Sequence, residues 1–118
     1  MREADLYCFP TRYPAENQPV TLIEAMAFGL PIVTTRWRSI PEMFPPGYPG
    51  LVADQSTEPI ADALLALMTV EIGEELRGIF LRSFTLERYL TGLAEAFAQV
   101  EAPRPVTLSA AAASPAPR

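Results

Sequence analysis

The spacing of apolar positions changes several times along the chain, and each change marks an element. Asp5-Leu-Tyr-Cys-Phe9 is a short apolar run stopped by Pro10, which predicts a strand. Residues 11–18 are mostly polar, carry Pro14 and predict a loop. Pro19 suits a first helical position, where its missing N–H costs nothing. Helix formers follow, and Gly29 is placed to cap that helix. The β-branched, apolar Pro31-Ile-Val-Thr-Thr35 predicts a buried strand. Residues 40–44 suit one helical turn, before a turn-rich stretch over 45–50 and a third short strand over 51–53. Strand, helix and strand joined by short links imply a parallel sheet with right-handed crossovers.

Three helices are expected next. In the first, Ser56 or Thr57 supplies a cap, and Ile60, Leu64, Leu67 and Met68 share a face. The second places Leu76, Ile79 and Phe80 at helical spacing. Thr85 caps the third, along which Leu86, Tyr89, Leu90, Leu93, Phe97 and Val100 form an apolar stripe. From Pro103 the Pro, Ala and Ser content predicts a disordered tail over 103–118. The globular unit is therefore 1–102. A three-stranded parallel sheet needs cover on both faces, and the first strand, close behind Met1, would expose an unpaired apolar edge. The expected class is α/β: a three-layer Rossmann-like half-domain with a short parallel sheet followed by C-terminal helices, its remaining strands upstream. The helical stripe, left without a partner, favours self-association.

Composition narrows the chemistry. With no His, neither a Ser-His-Asp triad nor a Cys-His dyad can be assembled. One Cys cannot make an intramolecular disulfide or a multi-Cys zinc site; Cys8, in an apolar run, is expected as a buried, inert thiol. All the basic residues are Arg, and the missing Lys excludes a Walker A loop. A net charge of −5 offers no clustered cations for counterion release, so nucleic acid is not an expected partner. Arg12, Arg36 and Arg38 do fall in one region, as solvated loop residues or as an attraction for an anionic ligand. No apolar run approaches the roughly eighteen residues of a membrane span, and residues 1–5 lack the apolar core of a signal peptide. A cytoplasmic protein is the expectation.

The stretch from Pro14 to Val33 carries the chemistry. Glu16 lies in a loop and Glu24, eight positions on, lies little more than one turn into the following helix. Both acids can face the carboxyl end of the sheet, where open α/β sheets bind ligands. The helix start offers free N–H groups and a positive dipole end suited to phosphate; carboxylates beside it suit neutral hydroxyls. Together these describe a sugar linked to a diphosphate. A structural reading fits the same spacing: Thr21-Leu-Ile-Glu24 matches a capping box, with Glu16 a solvated loop acid. Spacing leaves both open.

The surrounding residues carry a family likeness. Glu16-x7-Glu24-Ala-Met-Ala-x-Gly29-x-Pro31-x-Val33 resembles the signature of family 4-type glycosyltransferases of GT-B fold. The likeness continues through Ile40-Pro41-Glu42, Gly47 and Gly50-Leu51-Val52 to Phe84-Thr85, about residues 4–100. It implies that this chain is a GT-B C-terminal domain fragment, part of the donor-binding domain. It also implies transfer of a sugar from a nucleotide diphosphate to an acceptor hydroxyl, with retention. Glu16, Asn17 and Gln18 would contact the donor sugar, and Val20 and Glu24 the nucleotide, Glu24 through ribose hydroxyls. No catalytic residue, metal or cofactor is implied among these positions. The expected partners are the nucleotide-diphosphate sugar and an N-terminal acceptor domain, which with the family's Arg/Lys phosphate clamp would lie upstream; the chain alone is expected to be inactive. Two departures stand out: Pro19 where Gly is common, and Arg36-Trp37-Arg38-Ser39 where small residues are usual. Trp37 could stack on a base or sugar, or pack on a loop. The competing reading is a non-catalytic α/β interaction or remnant module with structural glutamates; a nucleotide-sugar epimerase of GT-B fold fits the signature less well.

Overall fold

The computed structural model describes residues 1, 3–68 and 71–101. The elements run β1 (Tyr7–Phe9), α1 (Val20–Ala27), β2 (Ile32–Thr35), a 3-10 turn (Ile40–Met43), β3 (Leu51–Val52), α2 (Thr57–Leu67), α3 (Ile72–Ser83) and α4 (Leu86–Glu101). The strands form one parallel sheet in the order β1-β2-β3, with Tyr7 opposite Ile32 and Thr34 opposite Leu51. The α/β class and the helices after the sheet match the pattern read from the sequence.

Strand alternation builds the three layers. Ile32 and Leu51 point to one face, where they pack with Leu22, Ala25 and Met26 of α1 and Leu76 of α3. Val33 and Val52 point to the other face, against Ala63 and Leu67 of α2. All four residues of β2 are buried, as a strand covered on both faces requires. Gly29 ends α1 at φ +68, in the left-handed region that glycine occupies without strain. Its carbonyl then meets Gly73 at the start of α3, too close for a side chain there.

Four details depart from the sequence reading. β1 is shorter than 5–9: Tyr7 donates to the Pro31 carbonyl at 2.9 Å, but Pro31 has no N–H to return to Asp5, so the ladder stops there. β3 ends at Val52, and the Ala53 carbonyl accepts from Arg12 Nη2 at 2.9 Å instead. Cys8 is exposed rather than buried, on the β1 face that α2, seated chiefly on β2 and β3, leaves open. Partial desolvation still raises its thiol pKa. Met68 does not join the buried face of α2; it caps the helix and is exposed, while Leu67 is enclosed.

The expected stripe of α4 forms, and every large apolar side chain along it from Leu86 to Val100 is exposed. Thr85 Oγ1 accepts from the Arg88 N–H at 3.3 Å, the cap foreseen for that helix. The tail assigned to 103–118 lies outside the described residues.

Candidate functional site

The loop 10–19 leaves the carboxyl end of β1 and is held by the strand beside it. Thr34 Oγ1 donates to the Phe9 carbonyl at 2.8 Å, and the buried Thr35 hydroxyl donates to the carbonyl of Thr11. Beyond β2, Trp37 Nε1 donates to the Tyr13 carbonyl at 2.8 Å. The Ser39 hydroxyl is shared between the carbonyl of Asn17 at 3.1 Å and its side-chain oxygen at 2.6 Å. Within the loop, the Glu16 N–H closes a turn on Tyr13 at 3.0 Å. Residues 34–39 thus fix the path of 9–17 through side chain to backbone bonds, the means by which irregular backbone satisfies its polar groups.

α1 begins at an unusual cap. Pro19 takes the N-cap position at φ −61 and ψ 120, with no side chain able to accept from the first turn, and that turn holds no acidic residue. The positive end of the helix is therefore not neutralised by its own residues. Because Pro19 starts the helix two residues before Thr21, the capping box does not form. Thr21 is the second helical residue, its buried Oγ1 has no hydrogen-bond partner, and Glu24 is exposed. An orphaned buried hydroxyl carries a desolvation cost that an isosteric methyl avoids. Thr21→Val should leave the urea midpoint unchanged or raise stability by about 1 kcal/mol; a loss of that size would show that the hydroxyl has a partner in solution.

Leu22, Ala25 and Met26 set the buried face of α1. At 100° per residue Val20 and Glu24 lie one turn apart on the opposite, solvent face, and both are exposed. Glu16 sits half-buried in the loop, and Asn17 and Gln18 are exposed between it and the helix. The five residues singled out by sequence therefore surround the start of α1. No bond joins the two carboxylates.

Two clefts open beside them. One, of about 310 Å³, lies between Asn17 and Gln18 and the 3-10 turn, lined also by Ser39, Glu42, Met43 and Phe84. The other, of about 520 Å³, runs from Gln18 and Ile23 to the α3–α4 junction at Phe84, Thr85, Arg88 and Tyr89. Gln18 and Phe84 border both. Glu16, Val20 and Glu24 line neither; Val20 and Glu24 stand on open surface. Sequence reasoning placed Ile40-Pro41-Glu42 and Phe84 in the likeness and Ser39 in a departure from it, but gave neither Ser39 nor Phe84 a site role; the loop-to-loop tether at Ser39 has no local sequence signal.

Next to the loop, Asp54 Oδ1 accepts from the N–H of Ser56 at 2.8 Å and from its hydroxyl, forming a turn before α2. These bonds, with the Arg12 charge, lower the Asp54 pKa. Among the described residues no group of three His, Cys, Asp or Glu could hold a metal ion, and no helix is long and apolar enough to cross a membrane.

No curated protein and no solved structure gives a significant match. A family model described as glycosyl transferases group 1 matches residues 1–70, which hold the sheet, α1, α2 and the tethered loop; α3 and α4 lie beyond the match. Since that segment is more than half of the 118 residues, the chain belongs to the glycosyl transferases group 1 family.

Proposed function

We propose that this chain is the donor-binding portion of a retaining glycosyltransferase that moves a sugar from a nucleoside diphosphate to an acceptor hydroxyl. The observation that carries the proposal is the uncompensated start of α1, with Glu16 in the fixed loop before it and Glu24 on its exposed face. A diphosphate suits the helix end, where free amides and the dipole favour negative charge. The carboxylates on either side suit hydroxyls: Glu24 those of the ribose, Glu16 with Asn17 and Gln18 those of the sugar. The transferred sugar gains positive charge as the diphosphate leaves. Dipoles already aimed at that diphosphate stabilise the change without reorganising. An acceptor domain would complete the reaction, and the role of these residues is recognition.

Binding is the test. The chain should bind a nucleoside diphosphate sugar in calorimetry. Glu24→Ala should weaken it about 10- to 100-fold, the range of a lost charge-assisted hydrogen bond or two. Glu24 is exposed and its side chain has no partner among the described residues, so its circular dichroism and melting should not change. Equal affinity in the variant, or no binding by the wild-type chain, would overturn the assignment. A non-catalytic interaction module is the other reading, and the exposed stripe of α4 is the feature in its favour.

A further inference from the structure

Arg12, Arg36 and Arg38 all project from the carboxyl ends of β1 and β2, where the parallel sheet brings the two loops together. All three are exposed. Trp37 gathers two of them: the Arg12 guanidinium lies 5.4 Å, and that of Arg38 5.8 Å, from the centre of its ring. The indole is itself pinned by its bond to Tyr13. Like charges brought to one ring repel, and the usual remedy is a carboxylate between them. Arg12 has only the Ala53 carbonyl and the nearby Asp54, whose own bonds go to Ser56. Among the described residues, Arg36 and Arg38 have no acidic partner, in a chain whose net charge is −5. Arg77, by contrast, has an evident structural task on the carbonyl of Ala27 at the end of α1.

The backbone adds an independent sign. Arg38 has φ +47 and is the only residue other than glycine with positive φ among those described. The left-handed region disfavours a long side chain, and Gly or Asn would sit there more easily. An arginine kept in a costly conformation, beside a second guanidinium and without an anion, fits an anion supplied from outside. The guanidinium fork matches phosphate oxygens in pairs, as an ammonium does not. Trp37 is then no stacking platform for a base, since guanidiniums already lie over its ring; it is a positioning residue for them.

We infer that Arg12, Arg36 and Arg38, organised by Trp37, form a receptor for a phosphoryl group carried by a substrate of this enzyme. This deepens the donor-site reading and rests on it for the substrate, but uses none of the residues assigned there. The phosphoryl group belongs either to the donor diphosphate or to a phosphorylated acceptor, and the experiment distinguishes them.

Trp37 is the chain's only tryptophan, so its emission reports on this place alone. Titrating the full chain with inorganic pyrophosphate should change that emission saturably, as the bound anion alters the charge beside the ring, and added salt should weaken the response. R36Q/R38Q should weaken pyrophosphate at least tenfold, and Arg12→Gln by less; both keep the wild-type circular dichroism, since the side chains are exposed. Loss of nucleoside diphosphate sugar binding alongside pyrophosphate in R36Q/R38Q assigns the group to the donor. Loss of pyrophosphate and a hexose monophosphate, with nucleoside diphosphate sugar binding retained, assigns it to the acceptor. No saturable response, or equal pyrophosphate affinity in wild type and R36Q/R38Q, overturns the receptor. Glu24→Ala keeps the two proposals apart: it should weaken the nucleotide sugar and leave the pyrophosphate response intact.

Discussion

Gly73→Ala should melt at a temperature lower by about 12 °C or more. A Cβ on Gly73 would lie 1.9 Å from the Gly29 carbonyl oxygen and 2.9 Å from its carbon, so it meets backbone and not a side chain that could turn away. α3 would have to retreat from α1, loosening Leu76, which is fully enclosed in the cluster that includes Met26 and Ile32. Overpacking of this kind costs about 3 kcal/mol when no rotamer relieves it. In a domain of this size each kcal/mol shifts the midpoint by about 4–8 °C. Gly92→Ala is the matched control: nothing lies within 4 Å of its added carbon. That variant should melt at or slightly above wild type, because alanine is the better helix former. If Gly73→Ala melts with the control, α1 and α3 do not touch in solution as described.

The second large effect belongs to Tyr48. Its hydroxyl donates to the Ile32 carbonyl and accepts from the Ile32 N–H, both at 2.9 Å, and the residue is buried. These groups lie ahead of the point where β3 begins to pair with β2, so the phenol serves as one more rung of the ladder. Tyr48→Phe leaves a buried N–H and a buried C=O unpaired, at about 1–3 kcal/mol for each orphaned group. A loss of roughly 3 kcal/mol in urea unfolding is the expected outcome. The same burial, with a smaller push from the Glu75 charge, drives the Tyr48 pKa up to about 12. An unfolded tyrosine ionises near 10. The folded state thus resists losing the proton. Its contribution is complete below about pH 10 and disappears as the pH climbs through about 12, a loss on the order of 2 kcal/mol. Wild type should show this alkaline slope and Tyr48→Phe a shallower one. Parallel slopes would mean that the phenol is solvated and the rung absent.

How much could be read in advance followed how local the cause was. β2 was legible because a strand covered on both faces favours an unbroken β-branched run, and Ile32 to Thr35 are all β-branched and all buried. The end of α1 was legible because only glycine takes the backbone angle found at Gly29 easily. The start of β1 was not, since its limit is set by a missing N–H on Pro31, in the neighbouring strand. Cys8 was misjudged for a similar reason: an apolar run shows that a strand is apolar, not which face a helix covers. At the candidate site, the loop acid and the helical acid were legible from spacing and family likeness. The choice between Thr21 and Pro19 as the helix cap was not, because both suit an N-terminus and the tethered loop decides. The Tyr48 rung and the Ser39–Asn17 bond join residues 16 and 22 positions apart and leave no periodic trace.

The bonds from Trp37 to Tyr13 and from Ser39 to Asn17 have a thermodynamic consequence for whatever docks here. They knit the segments after β1 and β2 into one shaped surface before any guest arrives. A guest meets a mould that has already set, so little of its binding energy is diverted into freezing loops.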